Sequence, residues 1–212
     1  MTTHFPPSVF DEWAPEYDLG IAIDRGFPFD GYTTVLRTIV QLASPEPGDT
    51  VLDLGIGSGN LALLLAERGC GIWGVDFSTE MLKLAGKKLP TASLAVSDLR
   101  EELPTHFPQR FNHIVSAYTF HHFPLDEKVQ LVQRMIKEHL QPDGVVVIGD
   151  IAFCNAAAED AFRRKAGDKW EQEYYWLADE TLAELSKAGF SAVYSQVSSC
   201  AGVFKIKGLL ED

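Results

Sequence analysis

Alternating glycines that follow an aspartate are the feature of this sequence that points most clearly to chemistry. In the segment VLDLGIGSGN, an apolar run containing Asp53 leads into Gly55, Gly57 and Gly59, and an apolar helical pattern follows. Without Cβ atoms, such a turn can bend sharply and let a ligand lie directly on the backbone. Free N–H groups at the start of the next helix would point to the same place. The segment predicts a ligand-binding turn, with an ordinary tight turn as the alternative.

The spacing of these glycines does not fit the loops that bind phosphates. The dinucleotide fingerprint G-x-G-x-x-G, counted from Gly55, needs its third glycine at position 60, which is Asn60. No lysine follows Gly59, so the G-x-x-x-x-G-K-[ST] loop is missing as well. Asp53 would repel a pyrophosphate and would tolerate or attract an ammonium or sulfonium group. A nucleotide-dependent oxidoreductase is therefore the alternative that the sequence disfavours.

Two further aspartates lie where the next strands are expected to end. Asp76, in GVDFS, comes about twenty residues after the glycine turn, where a carboxylate can accept both ribose hydroxyls. Asp98, in SDL, could accept from the exocyclic amine of an adenine. Either residue alone could instead cap a helix or belong to a turn. Together with Asp53 they predict three carboxylates along one cleft.

The elements that must position these residues alternate between strand-like and helix-like runs, which is typical of a parallel sheet covered by helices. Strands are expected at 50–54, 72–75, 93–96, 111–118, 144–151, 190–197 and 202–207. Helices are expected at 32–42, 58–68, 79–89, 126–140, 156–170 and 179–188, with Ser78 and Asp126 as two of the N-caps. The prediction is one doubly wound α/β domain that binds its ligand at the carboxyl ends of the strands.

The charge and the cysteine content of the chain limit the binding partners and the compartment that we expect. The chain has 30 acidic and 18 basic residues and a net charge of -12, so nucleic acid and anionic membranes are poor partners, whereas a small molecule is not. Cys70, Cys154 and Cys200 form no C-x-x-C pair, which favours unpaired thiols in a reducing compartment. Because the sequence also shows neither a signal peptide nor a membrane-spanning run, we expect a cytoplasmic protein.

These motifs resemble class I S-adenosylmethionine-dependent methyltransferases over residues 50–150. The resemblance rests on VLDLGIGSGN, GVDFS, SDL, FNHIVSAYTFHHF and LQPDGVVVIGDI. FDEWAPEYD and SAYTFHHF are most similar to the small bacterial YrrT-type methyltransferases, and more loosely to quinone-ring C-methyltransferases. The resemblance implies a Rossmann-like sheet of seven strands, helices on both faces and an antiparallel last hairpin. It also implies in-line methyl transfer from S-adenosylmethionine to a small-molecule acceptor.

The same resemblance assigns parts of the chain to roles within a single domain. It implies an N-terminal helical lid and cover at 1–45, a cofactor-binding core at 46–155, and a C-terminal helix and hairpin at 156–212 that contribute to the acceptor side. The glycine turn would hold the methionine portion, Asp76 the ribose, and Asp98 with Leu99 the adenine. The complete set of expected cofactor-binding residues is Asp53, Gly55, Gly57, Gly59, Asp76, Phe77, Met81, Ser97, Asp98, Leu99, Ala117 and Tyr17.

Two adjacent histidines are the candidate catalytic residues. His121 and His122 follow the fourth strand, whose end faces the transferred methyl in this family, so either could act as a base or bind a polar acceptor. Alternatively, an imidazole packs under the loop and bonds to backbone. We expect no metal site, because the two histidines are adjacent and no well-spaced partner ligand follows. Aromatic residues at 174–176 could line an acceptor pocket or belong to the core. A binding protein without catalysis is the remaining hypothesis.

Overall fold

A mixed β-sheet is the centre of the structure, a computed structural model that describes Asp11 and residues 26–208. Its strands are β1 (Thr50–Leu54), β2 (Gly71–Asp76), β3 (Ser93–Val96), β4 (Phe111–Ala117), β5 (Leu140–Phe153), β6 (Trp176–Leu177), β7 (Phe190–Gln196) and β8 (Ala201–Gly208). Seven of them follow one another in the order β3-β2-β1-β4-β5-β8-β7, and the two-residue β6 pairs with the end of β5.

Six α-helices connect the strands within the described residues. They are α1 (Tyr32–Ala43), α2 (Asn60–Ala66), α3 (Thr79–Lys88), α4 (Leu125–Arg134), α5 (Ala156–Ala166) and α6 (Ala178–Lys187). All the strands and helices expected from the sequence are present, with boundaries that differ by up to six residues. Among the described helices, none has both the length and the apolar character that a membrane span requires.

The direction of the strands creates a crevice at the centre of the sheet. β1 to β5 run parallel, while β8 is antiparallel to both β5 and β7. β1 and β4 are neighbours, and the chain proceeds outward from them on either side. Ligands of such sheets bind where this order reverses, outside the carboxyl ends of the strands. The predicted doubly wound sheet with an antiparallel final hairpin is confirmed, and the division into lid, core and acceptor side stays a prediction.

Two apolar layers, one on each face of the sheet, form the core. Successive residues of the strands alternate between them, so that Val51 faces one layer and Leu52 the other. The apolar residues of β5 alternate in the same way, with Val147 in the first layer and Val146 in the second. The first layer is covered by α1 and α2, and the second by α4 and α6. Burial on both faces explains why the β5 sequence is a nearly continuous apolar run.

Some expected element boundaries are wrong for local reasons. α2 starts at Asn60 instead of position 58, because Gly59 takes the left-handed conformation with φ 87°. Asp126 is not an N-cap: Pro124 caps α4 in an extended conformation, and Asp126 lies in the first turn. That helix ends at Arg134 and gives way to a π-helical turn over Met135–His139. Ser78 does cap α3, accepting a hydrogen bond from Met81 N as expected.

We predict that Gly149→Ala lowers the free energy of unfolding by about 1–3 kcal/mol, the usual effect of overpacking a core. A Cβ at position 149 would lie 2.6 Å from Val35 Cγ1 and 2.7 Å from Ile39 Cδ1, both of fully buried residues of α1. Urea unfolding measures the change. The control is Gly86→Ala in α3, whose Cβ would meet Leu94 at 3.8 Å; it should be neutral or stabilising. Equal stability of the two variants would contradict the packing argument.

Candidate cofactor and acceptor site

The glycine turn joins β1 to α2 at the crevice. Gly55, Gly57 and Gly59 have φ values of 70°, 52° and 87°, a region that side-chain-bearing residues rarely adopt. The N–H groups of Gly55 and Ile56 both donate to Val75 O, at 2.9 and 3.0 Å, which fastens the turn to the end of β2. These backbone bonds hold the first two residues of the turn against β2.

The three glycines have different surroundings. A Cβ at Gly55 would lie 2.3 Å from Thr119 Oγ1, and one at Gly59 would lie 3.1 Å from Leu89 Cδ1, so both positions are closed by packing. A Cβ at Gly57 would meet no atom within 4 Å among the described residues. Gly57 thus presents backbone to open space, and it is the glycine best placed to contact a ligand.

A buried carboxyl group lies beneath the turn. Asp53 is 1% exposed, and its Oδ2 has no hydrogen-bond partner among the described residues. Burial, together with repulsion from Asp76, raises the pKa of Asp53 to about 8. A buried oxygen without a partner is rare in folded proteins and needs an explanation such as a ligand donor.

Asp76 binds the backbone on both sides of the crevice. Its Oδ2 accepts from Gly57 N at 2.8 Å, and its Oδ1 accepts from Ser78 N at 2.9 Å. Burial raises the pKa of Asp76 to about 6, although these N–H groups act in the opposite direction. Asp11 lies close by, with its Oδ1 accepting from Ser78 Oγ at 2.6 Å. The carboxylate that the sequence assigns to ribose therefore also joins the glycine turn to the start of α3.

A small cavity of about 30 Å³ opens at the turn. Its lining includes four expected site residues and five others: Asp53, Gly55, Gly57, Ala117, Tyr32, Ile56, Ser58, Asn60 and Leu61. The sequence prediction did not include the residues between and after the glycines: Ile56, Ser58, Asn60 and Leu61. Their position next to the glycines was the available signal, since neighbours of an exposed turn also reach its surface.

Tyr32 lines this cavity and belongs to a group of packed aromatic rings, Phe29, Tyr32 and Tyr118, which we call the aromatic cover. The rings of Tyr32 and Tyr118 are stacked with centroids 5.2 Å apart, and Phe29 meets both edge-on. Asn60 Nδ2 donates to Tyr32 Oη at 3.3 Å, which links the cover to the start of α2. β4 ends at Ala117, one residue earlier than expected. Tyr118 follows it directly and adopts a positive φ of 53°.

The remaining expected cofactor residues lie outside the small cavity. Met81 is buried in α3, and Ser97 and Leu99 are buried after β3, which places them along the carboxyl ends of β2 and β3. Asp98 is half-exposed, accepts from Arg100 N at 2.9 Å and pairs with that guanidinium, as a turn residue would. Phe77 directly follows β2. Tyr17 lies outside the described residues.

A second group of ionisable side chains lies beyond β4, and we call it the histidine cluster: His121, His122, Lys128, Asp150 and Glu173. His121 Nδ1 lies 2.6 Å from Asp150 Oδ1, and its backbone N–H donates to Asp150 Oδ2 at 2.9 Å. His122 Nδ1 lies 2.8 Å from Glu173 Oε2. The two imidazole centroids are 4.1 Å apart. Both histidines therefore contact carboxylates, an arrangement that neither sequence hypothesis included.

Burial and mutual charge determine the protonation of this cluster. Burial raises the pKa of the fully buried Asp150, but the charge and hydrogen bond of His121 outweigh it and leave the pKa below its ordinary value. For His121 the same pairing overcomes burial and raises the pKa. Burial, followed by the charge of His121, lowers the pKa of His122. Burial also lowers the pKa of Lys128 to about 7.

Residues 174–176, which precede α6, pack against the histidine cluster. Lys128 Nζ donates to Tyr174 O and lies 4.2 Å from the centroid of Trp176, whose Nε1 donates to Asp150 Oδ2 at 3.1 Å. Tyr174 N donates to His121 O at 3.1 Å. Tyr175 and Trp176 are buried in the two core layers, as the core alternative expected.

The histidine cluster and the glycine turn share a loop. Thr119 Oγ1, two residues before His121, lies 3.4 Å from Gly55 O, while the backbone of Tyr118 donates to Gly149 O at 2.9 Å. The loop after β4 thus contacts the turn with one residue and carries the histidines a few residues later. The glycine turn and the histidine cluster are thus connected through this loop.

Comparisons with known proteins agree with this arrangement. Residues 51–144 match the model of the family described as methyltransferase domain. An uncharacterized methyltransferase of Geobacillus kaustophilus is 32% identical over 93% of this chain and 94% of its own length. One from Oceanobacillus iheyensis is 31% identical over 95% and 96%, and YrrT of Halobacillus halophilus is 27% identical over 94% and 95%.

Solved structures share the fold at low sequence identity. DhpI in complex with S-adenosylhomocysteine superposes with a TM-score of 0.72 at 18% identity, covering 97% of this chain and 96% of DhpI. Magnesium protoporphyrin IX methyltransferase from Synechocystis, with bound S-adenosylhomocysteine, gives 0.70 at 17% identity, covering 96% and 100%. The chain belongs to the class I S-adenosylmethionine-dependent methyltransferases, as the resemblance of its motifs implied.

We predict a pH-dependent stability difference between the wild type and Asp53→Asn. The pKa of Asp53 is raised to about 8 in the folded protein, so its contribution to stability is complete below the ordinary value near 3.8 and is lost as the pH rises through 8. Between pH 5 and 8 the wild type should lose stability relative to Asp53→Asn, by at most about 1.4 kcal/mol per pH unit. Urea unfolding at four pH values measures this, with the exposed Asp143→Asn as control. Parallel curves for the wild type and Asp53→Asn would contradict the assignment.

Proposed function

We propose that this protein transfers the methyl group of S-adenosylmethionine to a small-molecule acceptor. The observation that carries the proposal is the buried Asp53 carboxyl, with one oxygen unpartnered among the described residues, beneath the open face of Gly57. Burial raises the pKa of Asp53 to about 8, and a bound cation would favour the ionised form, so this group suits the ammonium and sulfonium charges of the cofactor and opposes a diphosphate. The residues at the turn therefore fit this cofactor.

The proposed contacts follow the carboxyl ends of the strands. The glycine turn and Asp53 would hold the methionine portion, and Asp76 at the end of β2 would accept the ribose hydroxyls. The adenine would lie among the residues that follow β2 and β3 or begin α3: Phe77, Met81, Ser97, Asp98 and Leu99. Ala117 would line the site from β4, and Tyr17 would line it from the N-terminal segment.

Binding in this way requires that the aromatic cover move. A cavity of about 30 Å³ offers the volume of roughly one water molecule, whereas ligand pockets commonly measure about 300–1,000 Å³. Tyr32, which lines the cavity and stacks on Tyr118, is the side chain whose rotation would enlarge it most directly. The cover would then lie over the bound cofactor and keep water away from the reacting atoms.

Positioning would supply much of the catalysis. When bound, S-adenosylmethionine offers a methyl group on a good, neutral leaving group, which an acceptor displaces in line. Holding the acceptor at attack distance in a dry site is worth several kcal/mol of the barrier. A base is needed only if the acceptor must lose a proton, and His121 and His122, on the loop that touches the glycine turn, are the candidates.

A small acceptor in the cytoplasm fits the charge and cysteines of the chain. The net charge of -12 opposes approach to nucleic acid and to anionic lipid. Cys70, Cys154 and Cys200 are all free thiols, which is usual in a reducing compartment.

The proposal is tested by binding and turnover. We expect S-adenosylmethionine and S-adenosylhomocysteine to bind in calorimetry with micromolar dissociation constants, and NADH not to bind. Radiolabelled methyl should pass to at least one compound of a metabolite library. Binding of NADH alone would overturn the proposal, and cofactor binding without any transfer would indicate a binding protein.

We predict that Asp76→Asn weakens S-adenosylhomocysteine binding by about 1.5–3 kcal/mol, a tenfold to more than hundredfold loss, because a charge-assisted bond to the ribose becomes a neutral one. Isothermal calorimetry measures the affinity, and thermal unfolding verifies that the variant folds. Asp143→Asn, at an exposed position early in β5, is the matched control and should bind like the wild type. Unchanged affinity in folded Asp76→Asn would show that the ribose lies elsewhere.

A further inference from the structure

The histidine cluster contains a set of side chains with the composition of a metal site. His121, His122 and Glu173 each offer one ligand atom, and these atoms all lie within 4.8 Å of one another. Glu173 is 51 residues from His122 in the sequence and reaches it through the segment that precedes β6. Because Glu173 is so far away in the sequence, the spacing of residues near the two histidines could not indicate that it lies beside them.

We propose that His121, His122 and Glu173 bind a divalent transition metal ion of the Zn²⁺ type. Two imidazoles and one carboxylate are a ligand set that Zn²⁺ takes in catalytic sites, where three protein ligands leave the fourth position open. Ligand atoms bound at about 2.0–2.2 Å in a tetrahedron lie about 3.4 Å apart. Separations of up to 4.8 Å need to close by at most about 1.4 Å, which side-chain rotations can supply.

The surroundings of His121 support the assignment. Its Nδ1 is held by the fully buried Asp150 at 2.6 Å, which leaves Nε2 as the ring atom available to a metal. Metal-bound histidines usually give their other ring nitrogen to such a carboxylate, which fixes the orientation of the ring. Asp150 is itself fixed by Trp176 Nε1 at 3.1 Å, so the orienting carboxylate is rigid before any ion binds.

Solvent access and charge also suit a cation. The side chains of His121, His122 and Glu173 are 10%, 23% and 11% exposed, so the group is largely buried but not sealed from solvent. Two carboxylates, Asp150 and Glu173, contact the imidazoles directly, and they outnumber the one ammonium of the cluster, Lys128. The described residues contain one other possible group, Glu102, Glu138 and His139, but its glutamates are exposed on the surface.

The position of the site gives it a place in the reaction, and this part rests on the proposed function. The cluster follows the loop that contacts Gly55, so an open metal position would lie on the acceptor side of the crevice. Such a position binds the oxygen or sulfur of a hydroxyl or thiol and lowers its pKa, with the proton passing to solvent. The acceptor class that this site favours is an alcohol, phenol or thiol.

The binding test uses the full chain, freed of metal by a chelator. Zn²⁺ titrated in calorimetry should bind at one site with a micromolar or lower dissociation constant, and Co²⁺ should give visible absorption far above that of the hydrated ion. Glu173→Gln should weaken Zn²⁺ binding at least about tenfold. Glu171→Gln, the same change two residues away at an exposed position, should stay within about twofold of the wild type.

These measurements test the metal site independently of the proposed methyltransferase function. Wild-type affinity for Zn²⁺ no higher than that of Glu173→Gln overturns it, as does binding that His139→Ala removes and Glu173→Gln retains. S-adenosylhomocysteine affinity, measured on the same variants, should be unchanged. A protein that binds S-adenosylhomocysteine but not Zn²⁺ would refute the metal site and leave the proposed function standing.

Discussion

The hydrogen bond from Gly57 N to Asp76 is the interaction on which the rest of the site depends. It fixes the turn after β1 against the end of β2, and the second carboxylate oxygen of Asp76 fixes the start of α3 through Ser78 N. Three elements separated in sequence are thereby held at one edge of the sheet. Because Asp76 is buried, water cannot replace these bonds, so the shape of the turn and the ionisation of the carboxylate are coupled. The residues that would recognise a ligand are the same ones that stabilise the fold around it.

The histidine cluster also depends on one buried carboxylate, that of Asp150. Asp150 lies within β5 with no solvent exposure, and it is satisfied by His121 from the loop after β4 and by Trp176 from β6. A buried carboxylate without such donors would be strongly destabilising, so Asp150 requires that three distant segments come together. The hydrogen bonding of Asp150 differs from that of the buried Asp53. Asp150 is satisfied entirely by the protein, whereas Asp53 keeps an oxygen unpartnered among the described residues. This difference distinguishes a carboxylate that supports the fold from the carboxyl group to which we assign a ligand contact.

Most of the fold could be predicted because it depends on local patterns. The alternating residues of the strands, the cap at Ser78 and the glycine turn are readable within a few positions of each other, and the strand Thr50–Leu54 was predicted to the residue. The errors are of two kinds. The start of α4 depends on Pro124, whose backbone conformation takes the capping position from Asp126. The carboxylate partners Asp150 and Glu173 are 29 and 51 residues from their histidines. The periodicity of apolar residues does not indicate contacts over such distances in sequence. Tertiary packing alone determines those pairs.

The place of β8 in the sheet has a consequence for synthesis on the ribosome. β8 is inserted between β5 and β7, yet it follows both in the chain, beginning at Ala201 when β5 has ended at Phe153. At translation rates of about 5–20 residues per second, the apolar edge of β5 therefore waits roughly 2–10 s for its neighbour. An uncovered edge of this kind can pair with another nascent chain. The interval between the synthesis of β5 and that of β8 therefore leaves this strand edge open to such contacts.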